Sequence, residues 1–215
     1  MGDVGPAWLK GDTTSASQRP ALGCRNFATN GTTTDGIAFG PIYSAVAVAR
    51  PGPVVLQIDI GFEDSRIFCY LFVLTGASEC GLGGATALAL ALARPSHLVL
   101  LARTESKVRN VISAIKEISP GTLPAFVHIE LDDLDSVRRA ATDVLGVISK
   151  IDVLINNAGV MAIPWSKSNS GLEKTPAINH LGQFLLTKLL IPSILAAGPG
   201  SRIVNITSAS ASRIY

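Results

Sequence analysis

Glycines cluster at one place in the sequence, where they could bind phosphate. Residues 75–84 (TGASECGLGG) follow an apolar run and precede an Ala- and Leu-rich segment. Glycine lets backbone N–H groups close on a pyrophosphate, and the N-terminus of a following helix adds partial positive charge. A side chain at Gly81 or Gly83 would block that approach. Turns also use glycine, so the flanking strand and helix are what favour a phosphate-binding loop.

A cation stands about 20 residues past the loop, where dinucleotide-binding folds read the ribose 2′ position. Arg103 occupies it, and Lys107 follows one helical turn later. An acidic residue would hold a free 2′-hydroxyl, whereas arginine favours a 2′-phosphate. The plainer alternative is a solvated arginine at a strand exit. The sequence therefore predicts NADP as cofactor, with NAD less favoured.

Elements that could position these residues alternate after residue 66. Apolar runs predict strands over 67–75, 97–102, 126–131, 152–156 and 202–207. Helical spacing predicts helices over 82–93, 104–119, 134–148 and 175–197, with Thr104 and Thr175 as N-caps. This alternation is typical of an α/β fold, a doubly wound parallel sheet with helices on both faces.

The first part of the chain has a different character. Residues 1–52 are rich in Gly, Ser, Thr, Ala and Pro without a period, and 54–60 could form one short strand. We therefore divide the chain into an irregular N-terminal extension, 1–66, to which we assign no function, and a dinucleotide-binding domain, 67–215.

Composition excludes several classes of function. A net charge of +2 over 215 residues does not favour a nucleic-acid partner. The longest apolar run, 67–74, is far short of the roughly 20 residues that span a bilayer. Cys24, Cys69 and Cys80 have neither metal-ligand spacing nor a disulfide pattern. We expect no metal site, no membrane span, and a reduced, cytoplasmic setting.

Several further motifs carry a resemblance to a known family. With the glycine loop, the segments NNAG (156–159), NHLG (179–182) and IVNITS (203–208) resemble the short-chain dehydrogenase/reductase family, in particular its retinol-dehydrogenase-like and fungal members. The likeness covers about residues 68–210. It implies a Rossmann-type fold and NAD(P)-dependent hydride transfer between a small-molecule carbonyl and an alcohol.

The resemblance also implies roles for individual residues. Asn179 matches the family's catalytic asparagine, which organises a proton-relay water, and Ser208 matches the serine that hydrogen-bonds the substrate oxygen; a hydroxyl that merely caps a strand end is the alternative for Ser208. The implied cofactor contacts are Gly76, Ser78, Gly81, Leu82 and Gly83 at the pyrophosphate, Glu130 and Leu131 beside the adenine, and Asn157, Ala158 and Gly159 along the ribose.

The sequence departs from the family pattern in three ways that matter. Thr175-Pro176 stands where the family usually has polar and aromatic residues before the asparagine, so the entry to that helix is altered. The glycine loop has one residue more than usual, with Cys80 where some fungal relatives carry glycine. The family's Tyr-x-x-x-Lys motif, whose tyrosine is the general acid/base, is absent before the chain ends at Tyr215.

We therefore expect a C-terminally truncated member whose fold is incomplete at that side, and a homodimer only for a complete chain. The alternatives are a catalytically inactive NADP(H)-binding module or regulatory fragment, and a gene product that does not fold alone.

Overall fold

The computed structural model describes residues 69–207 in full, together with the backbone of three earlier strands. These strands are β1 (Phe27–Asn30), β2 (Tyr43–Val48) and β3 (Pro53–Ile58), which pair antiparallel in the order β1-β2-β3. Strand β3 coincides with most of the short strand predicted at 54–60. Strands β1 and β2 were not predicted, because residues 1–52 show no period in their sequence. The division at residue 66 stays a prediction.

The second sheet holds the predicted alternation of strands and helices. Its elements are β4 (Leu71–Thr75), α1 (Leu82–Leu92), β5 (His97–Ala102), α2 (Ser106–Ile118), β6 (Leu123–His128), α3 (Leu134–Val147), β7 (Val153–Asn156), α4 (Lys174–Pro176), a π turn (Ala177–Leu181), α5 (Gly182–Ala196) and β8 (Arg202–Asn205). The nine predicted elements all occur, most of them with shifted boundaries.

Three of those boundaries correct the sequence prediction. Helix α2 begins at Ser106 and is preceded by Glu105 in helical conformation, so Thr104 is not its N-cap. The last long helix begins at Lys174 after an extended Glu173, which places Thr175 inside it. Strand β6 starts three residues before the predicted 126, because Leu123 and Pro124 pair with β5 although they do not alternate.

The strand order creates the crevice in which the candidate residues meet. The five strands are parallel and run β6-β5-β4-β7-β8 across the sheet. The chain extends from β4 first to one side and later to the other, so the loops after β4 and β7 diverge. Ligands of doubly wound sheets bind at the carboxyl ends of the strands at such a switch point. The fold is thus a Rossmann-type α/β sheet, as the sequence predicted.

Strand β4 is buried on both faces, which explains why its sequence is continuously apolar. Phe72 and Leu74 pack into a core shared with α1 and α2, whereas Leu71 and Val73 pack into a second core shared with α3 and α5. Since successive side chains of a strand point to opposite faces, an uninterrupted apolar run is what a central parallel strand requires. Helices therefore cover both faces of the sheet.

Helix α5 approaches the sheet where its first residue has no side chain. A Cβ at Gly182 would collide with the carbonyl oxygen of Leu131, at the loop that follows β6. This close approach holds the helix after the π turn against the loop predicted to flank the adenine.

Across the described residues, none of the helices has both the length and the apolar character needed to cross a bilayer.

We expect Gly182→Ala to destabilise the fold by about 1–3 kcal/mol, because the added methyl group must displace backbone. Gly146→Ala is the matched control, since Gly146 lies in α3 with open space around it. There alanine should be neutral or stabilise by up to about 1 kcal/mol, from its better helix propensity. Urea denaturation of both variants measures the difference, and equal effects would show that the contact with Leu131 is not tight.

Candidate functional site

A cavity of about 340 Å³ opens at the carboxyl end of the sheet. It collects residues from the loops after β4, β5, β6 and β7, which are far apart in sequence. Its walls include ten of the eleven residues predicted to contact the cofactor: Gly76, Ser78, Gly81, Leu82, Gly83, Arg103, Leu131, Asn157, Ala158 and Gly159. The remaining lining residues are Leu101, Ala102, Thr104, Lys107, Ile129, Asp132, Val160 and Ile178.

The glycine loop forms the wall beside α1. Gly76 has a φ of +72°, a conformation that glycine adopts without strain. A Cβ at Gly83 would collide with the carbonyl oxygen of Gly76, so the first turn of α1 lies directly on the end of β4. The first N–H groups of a helix have no partner within it. These backbone donors, with the positive end of the helix dipole, suit an anion such as a phosphate.

A buried hydroxyl joins this loop to the turn after β7. Thr75 Oγ1 accepts hydrogen bonds from the backbone N–H groups of Asn157 and Ala158, both at 3.0 Å. In the opposite direction, the Asn157 side chain donates from its Nδ2 to the carbonyl oxygen of Thr75 at 2.9 Å. Thr75 is fully buried. The two turns that line the cavity are therefore fixed to each other by side chains from both.

The extra residue of the loop is accommodated in a tight turn. The Gly81 N–H donates to the Ser78 carbonyl at 3.2 Å, with Glu79 and Cys80 at the corners. Cys80 has a φ of +65°, although it is not glycine. Turns with positive φ at the third position prefer glycine or asparagine, and Cys80 is exposed rather than pointing into the cavity.

The cysteines differ from the sequence prediction. Cys80 is disulfide-bonded, whereas Cys69 is free and exposed. The sequence predicted no disulfide, because three widely spaced cysteines show no pairing pattern. For Cys80 that prediction is wrong.

Two cations line the cavity beyond the end of β5. Arg103 and Lys107 are both exposed at its rim, with Thr104 between them. The neighbouring Glu105 is directed to Arg109 instead, at 3.9 Å. Within the described part of the chain, neither cavity-lining cation pairs with a carboxylate. The rim is thus positively charged at the position where the sequence predicted a 2′-phosphate.

Glu130 is the one predicted cofactor residue that does not line the cavity. Its carboxylate faces His128 at 4.0 Å, and its N–H donates to Ser136 Oγ. Asp132 lies on the cavity wall instead and is 3.7 Å from Lys174. Asp132 is a cavity residue that the motifs did not predict, although its position directly after Leu131 could have indicated it. Glu130 thus lies outside the cavity lining, and its contact with the adenine stays a prediction.

Asn179 lies in the π turn between α4 and α5. Its Oδ1 accepts from the Val160 N–H at 2.8 Å, and its Nδ2 donates to the Val160 carbonyl at 2.9 Å. Both polar atoms of the side chain thus hold the turn that follows Gly159. Single π turns inside helices are frequent at functional sites. Ser208, the other predicted catalytic residue, lies outside the described residues.

Comparison with known proteins agrees with this geometry. The sequence model of the family described as short chain dehydrogenase matches residues 71–214, about two thirds of the chain. The chain belongs to the short-chain dehydrogenase/reductase family. Members of this family are oxidoreductases, and the curated relatives carry names of that kind.

Oxidoreductase fscI from Fusarium equiseti is 36% identical over 143 residues, which are 65% of this chain and 55% of that protein. Human retinol dehydrogenase 13 is 40% identical over 139 residues, or 63% of this chain and 40% of that protein. The chain spans about half the length of these relatives. Both the retinol-dehydrogenase-like and the fungal resemblance are confirmed.

Solved structures show the same fold. A metagenomic short-chain oxidoreductase in complex with NADP has a TM-score of 0.56 and 31% identity, covering 67% of this chain and 64% of its own. The structure of yciK from E. coli, described as an oxidoreductase, has a TM-score of 0.59 and 25% identity, covering 71% and 63%.

We expect Thr75→Val to destabilise the protein by about 2–4 kcal/mol. The substitution keeps the shape of the side chain but leaves the N–H groups of Asn157 and Ala158 without an acceptor, at about 1–3 kcal/mol each. Thr142→Val, on the exposed face of α3, is the control and should change stability by less than about 0.5 kcal/mol. Chemical denaturation measures both; a small effect at position 75 would mean that water replaces the hydroxyl.

Cys80→Gly should be more stable than Cys80→Ala by about 1 kcal/mol, since only alanine retains a Cβ at positive φ. Both variants lack the sulfur, so the disulfide does not enter the comparison. Denaturation of the two proteins side by side provides the measurement. If alanine were the more stable, the turn would have to adopt another conformation.

Proposed function

We propose that this protein is an NADP-dependent oxidoreductase that interconverts a small-molecule carbonyl and an alcohol by hydride transfer. The observation that carries the cofactor choice is the position of Arg103 and Lys107, on the rim of the same cavity that the glycine loop lines. A guanidinium presents forked donors that match phosphate oxygens. The resemblance to an NADP complex among solved relatives supports this choice.

The cavity's chemistry suits each part of the dinucleotide. The donors of the glycine loop and the N-terminus of α1 would hold the pyrophosphate. The apolar side chains of Ile129 and Leu131 would lie against the adenine, with Asp132 as the polar group at that wall. Arg103 and Lys107 would hold the 2′-phosphate. When bound, the nicotinamide supplies or accepts the hydride, and the protein's part is to orient it.

The catalytic roles of Asn179 and Ser208 belong to this proposal. In the described region Asn179 fixes the turn at Val160 next to the cavity, which fits a role in organising the reacting end of the cofactor. No tyrosine of this sequence is followed four residues later by a lysine. The experiments below therefore measure cofactor binding, which the described residues support, rather than turnover.

Location and assembly also remain proposals. We keep the cytoplasm as the proposed location and a homodimer as the proposed assembly of a complete enzyme.

Titration of the protein with NADPH and with NADH, followed by cofactor fluorescence, tests the proposal. We expect tighter binding of NADPH, and we expect Arg103→Ala to raise the Kd for NADPH about 10- to 100-fold, the value of a charge-assisted hydrogen bond to phosphate. The Kd for NADH should hardly change, because NADH carries no 2′-phosphate.

Arg109→Ala is the charge-matched control. Arg109 lies on α2, the helix that carries Lys107, and is exposed, but it does not line the cavity and faces Glu105. Equal losses in the two arginine variants would indicate a general effect of charge. Wild-type protein that binds NADH as tightly as NADPH would refute the proposed cofactor.

A further inference from the structure

The extra residue of the glycine loop places Glu79 against α2. The Glu79 N–H donates to the carbonyl oxygen of Lys107 at 2.7 Å. The Nδ2 atom of Asn110 donates to Glu79 Oε2 at 2.8 Å. A single residue at the corner of the turn is thus hydrogen-bonded to two residues of the helix, one through its backbone and one through its side chain.

The residues beside Glu79 and those beside Asn110 belong to different parts of the candidate site. Ser78 and Gly81, on either side of the turn's corner, line the cavity at the glycine loop, and Lys107 lines it at the cationic rim. Lys107 and Asn110 are three residues apart and hence neighbours on the helix surface. The contact between Glu79 and α2 therefore sets the position of the cationic rim relative to the phosphate-binding loop.

The spacing of these two parts matters because one molecule would have to meet both. In NADP the pyrophosphate and the 2′-phosphate are attached to the same ribose, so their separation is limited by covalent geometry. If the loop and the rim did not match the spacing of the two phosphates, they would have to move as the ligand binds, which costs free energy. Fixing them in place beforehand therefore improves affinity.

Charge gives the same contact a second consequence. Glu79 is the acidic residue of the loop, and it is held at Asn110, outside the cavity lining. Without the Asn110 amide its carboxylate could turn towards the ammonium group of Lys107 and compete with a phosphate for it.

We infer that Glu79 and Asn110 form a latch that fixes the cationic rim to the glycine loop. Asn110 is then a positioning residue for the 2′-phosphate, although it does not itself contact the cofactor. This inference rests on the proposed NADP dependence. It assigns a purpose to the additional loop residue: the longer turn carries Glu79 out to α2.

The test compares Kd values for NADPH and NADH in Asn110→Ala, in Glu79→Ala and in the double variant. We expect Glu79→Ala to weaken NADPH binding about fivefold, the value of one hydrogen bond of this kind, and Asn110→Ala to weaken it by at least as much, because that variant also frees the Glu79 carboxylate. NADH binding should stay within about twofold, because loop and helix need no fixed spacing for a ligand without the 2′-phosphate. The double variant should lose no more than either single variant, since both changes break one contact.

Two further variants make the result specific. Ser113→Ala, on the exposed surface of α2, should leave both Kd values unchanged. Glu79→Gln keeps an oxygen that can accept from Asn110 and should therefore preserve the preference for NADPH.

The failures can be told apart. A wild-type protein without preference for NADPH would refute the proposed function and this inference together. A wild-type preference that persists unchanged in Asn110→Ala, or equal losses for both cofactors, would overturn the latch and leave the proposed function standing.

Discussion

The site depends on the close approach of backbone at the carboxyl ends of β4 and β7. A Cβ at Gly76 would lie 2.8 Å from Ala158 Cα, and one at Gly83 would collide with Gly76. Three segments therefore touch without room for another methyl group. The Thr75 hydroxyl, at the centre of this contact, satisfies two N–H groups that the divergence of the strands would otherwise leave unpaired. Shape and hydrogen bonding together place the N-terminus of α1 at the cavity.

Charge is distributed so that the cavity rim stays available to an anion. Elsewhere in the described region some cations face carboxylates, as Arg139 faces Asp133 and Lys150 faces Asp152. The carboxylate on the cavity wall, Asp132, faces Lys174 at 3.7 Å rather than Arg103 or Lys107. Since both cores contain mainly aliphatic side chains, stability does not require the rim cations to be paired.

Local patterns in the sequence were sufficient for most of the fold. Continuous apolar runs indicate buried parallel strands, and β5 was predicted to the residue, because His97 and Ala102 are bounded by a serine and by an exposed arginine. Ten of the residues that the motif spacing predicted to contact a cofactor also line one cavity. That spacing could not show that Glu130 turns to His128, because a side chain's direction after a strand depends on neighbours that are distant in sequence. Nor could it reveal the contact between Gly182 and Leu131, which exists only in the packed structure.

The turn after β7 shows why an asparagine is found within a helix. Asparagine is unfavourable there because its side chain competes for backbone hydrogen bonds. The Asn179 side chain instead hydrogen-bonds both backbone groups of Val160, in another segment of the chain. Gln183, one turn later, donates to the Ala158 carbonyl at 2.6 Å. With Thr75 on the other side, the segment from Asn157 to Val160 is held by side chains from β4, from the π turn and from α5. A turn fixed from two elements keeps its shape whether or not a ligand is present, which is the condition for a preorganised site.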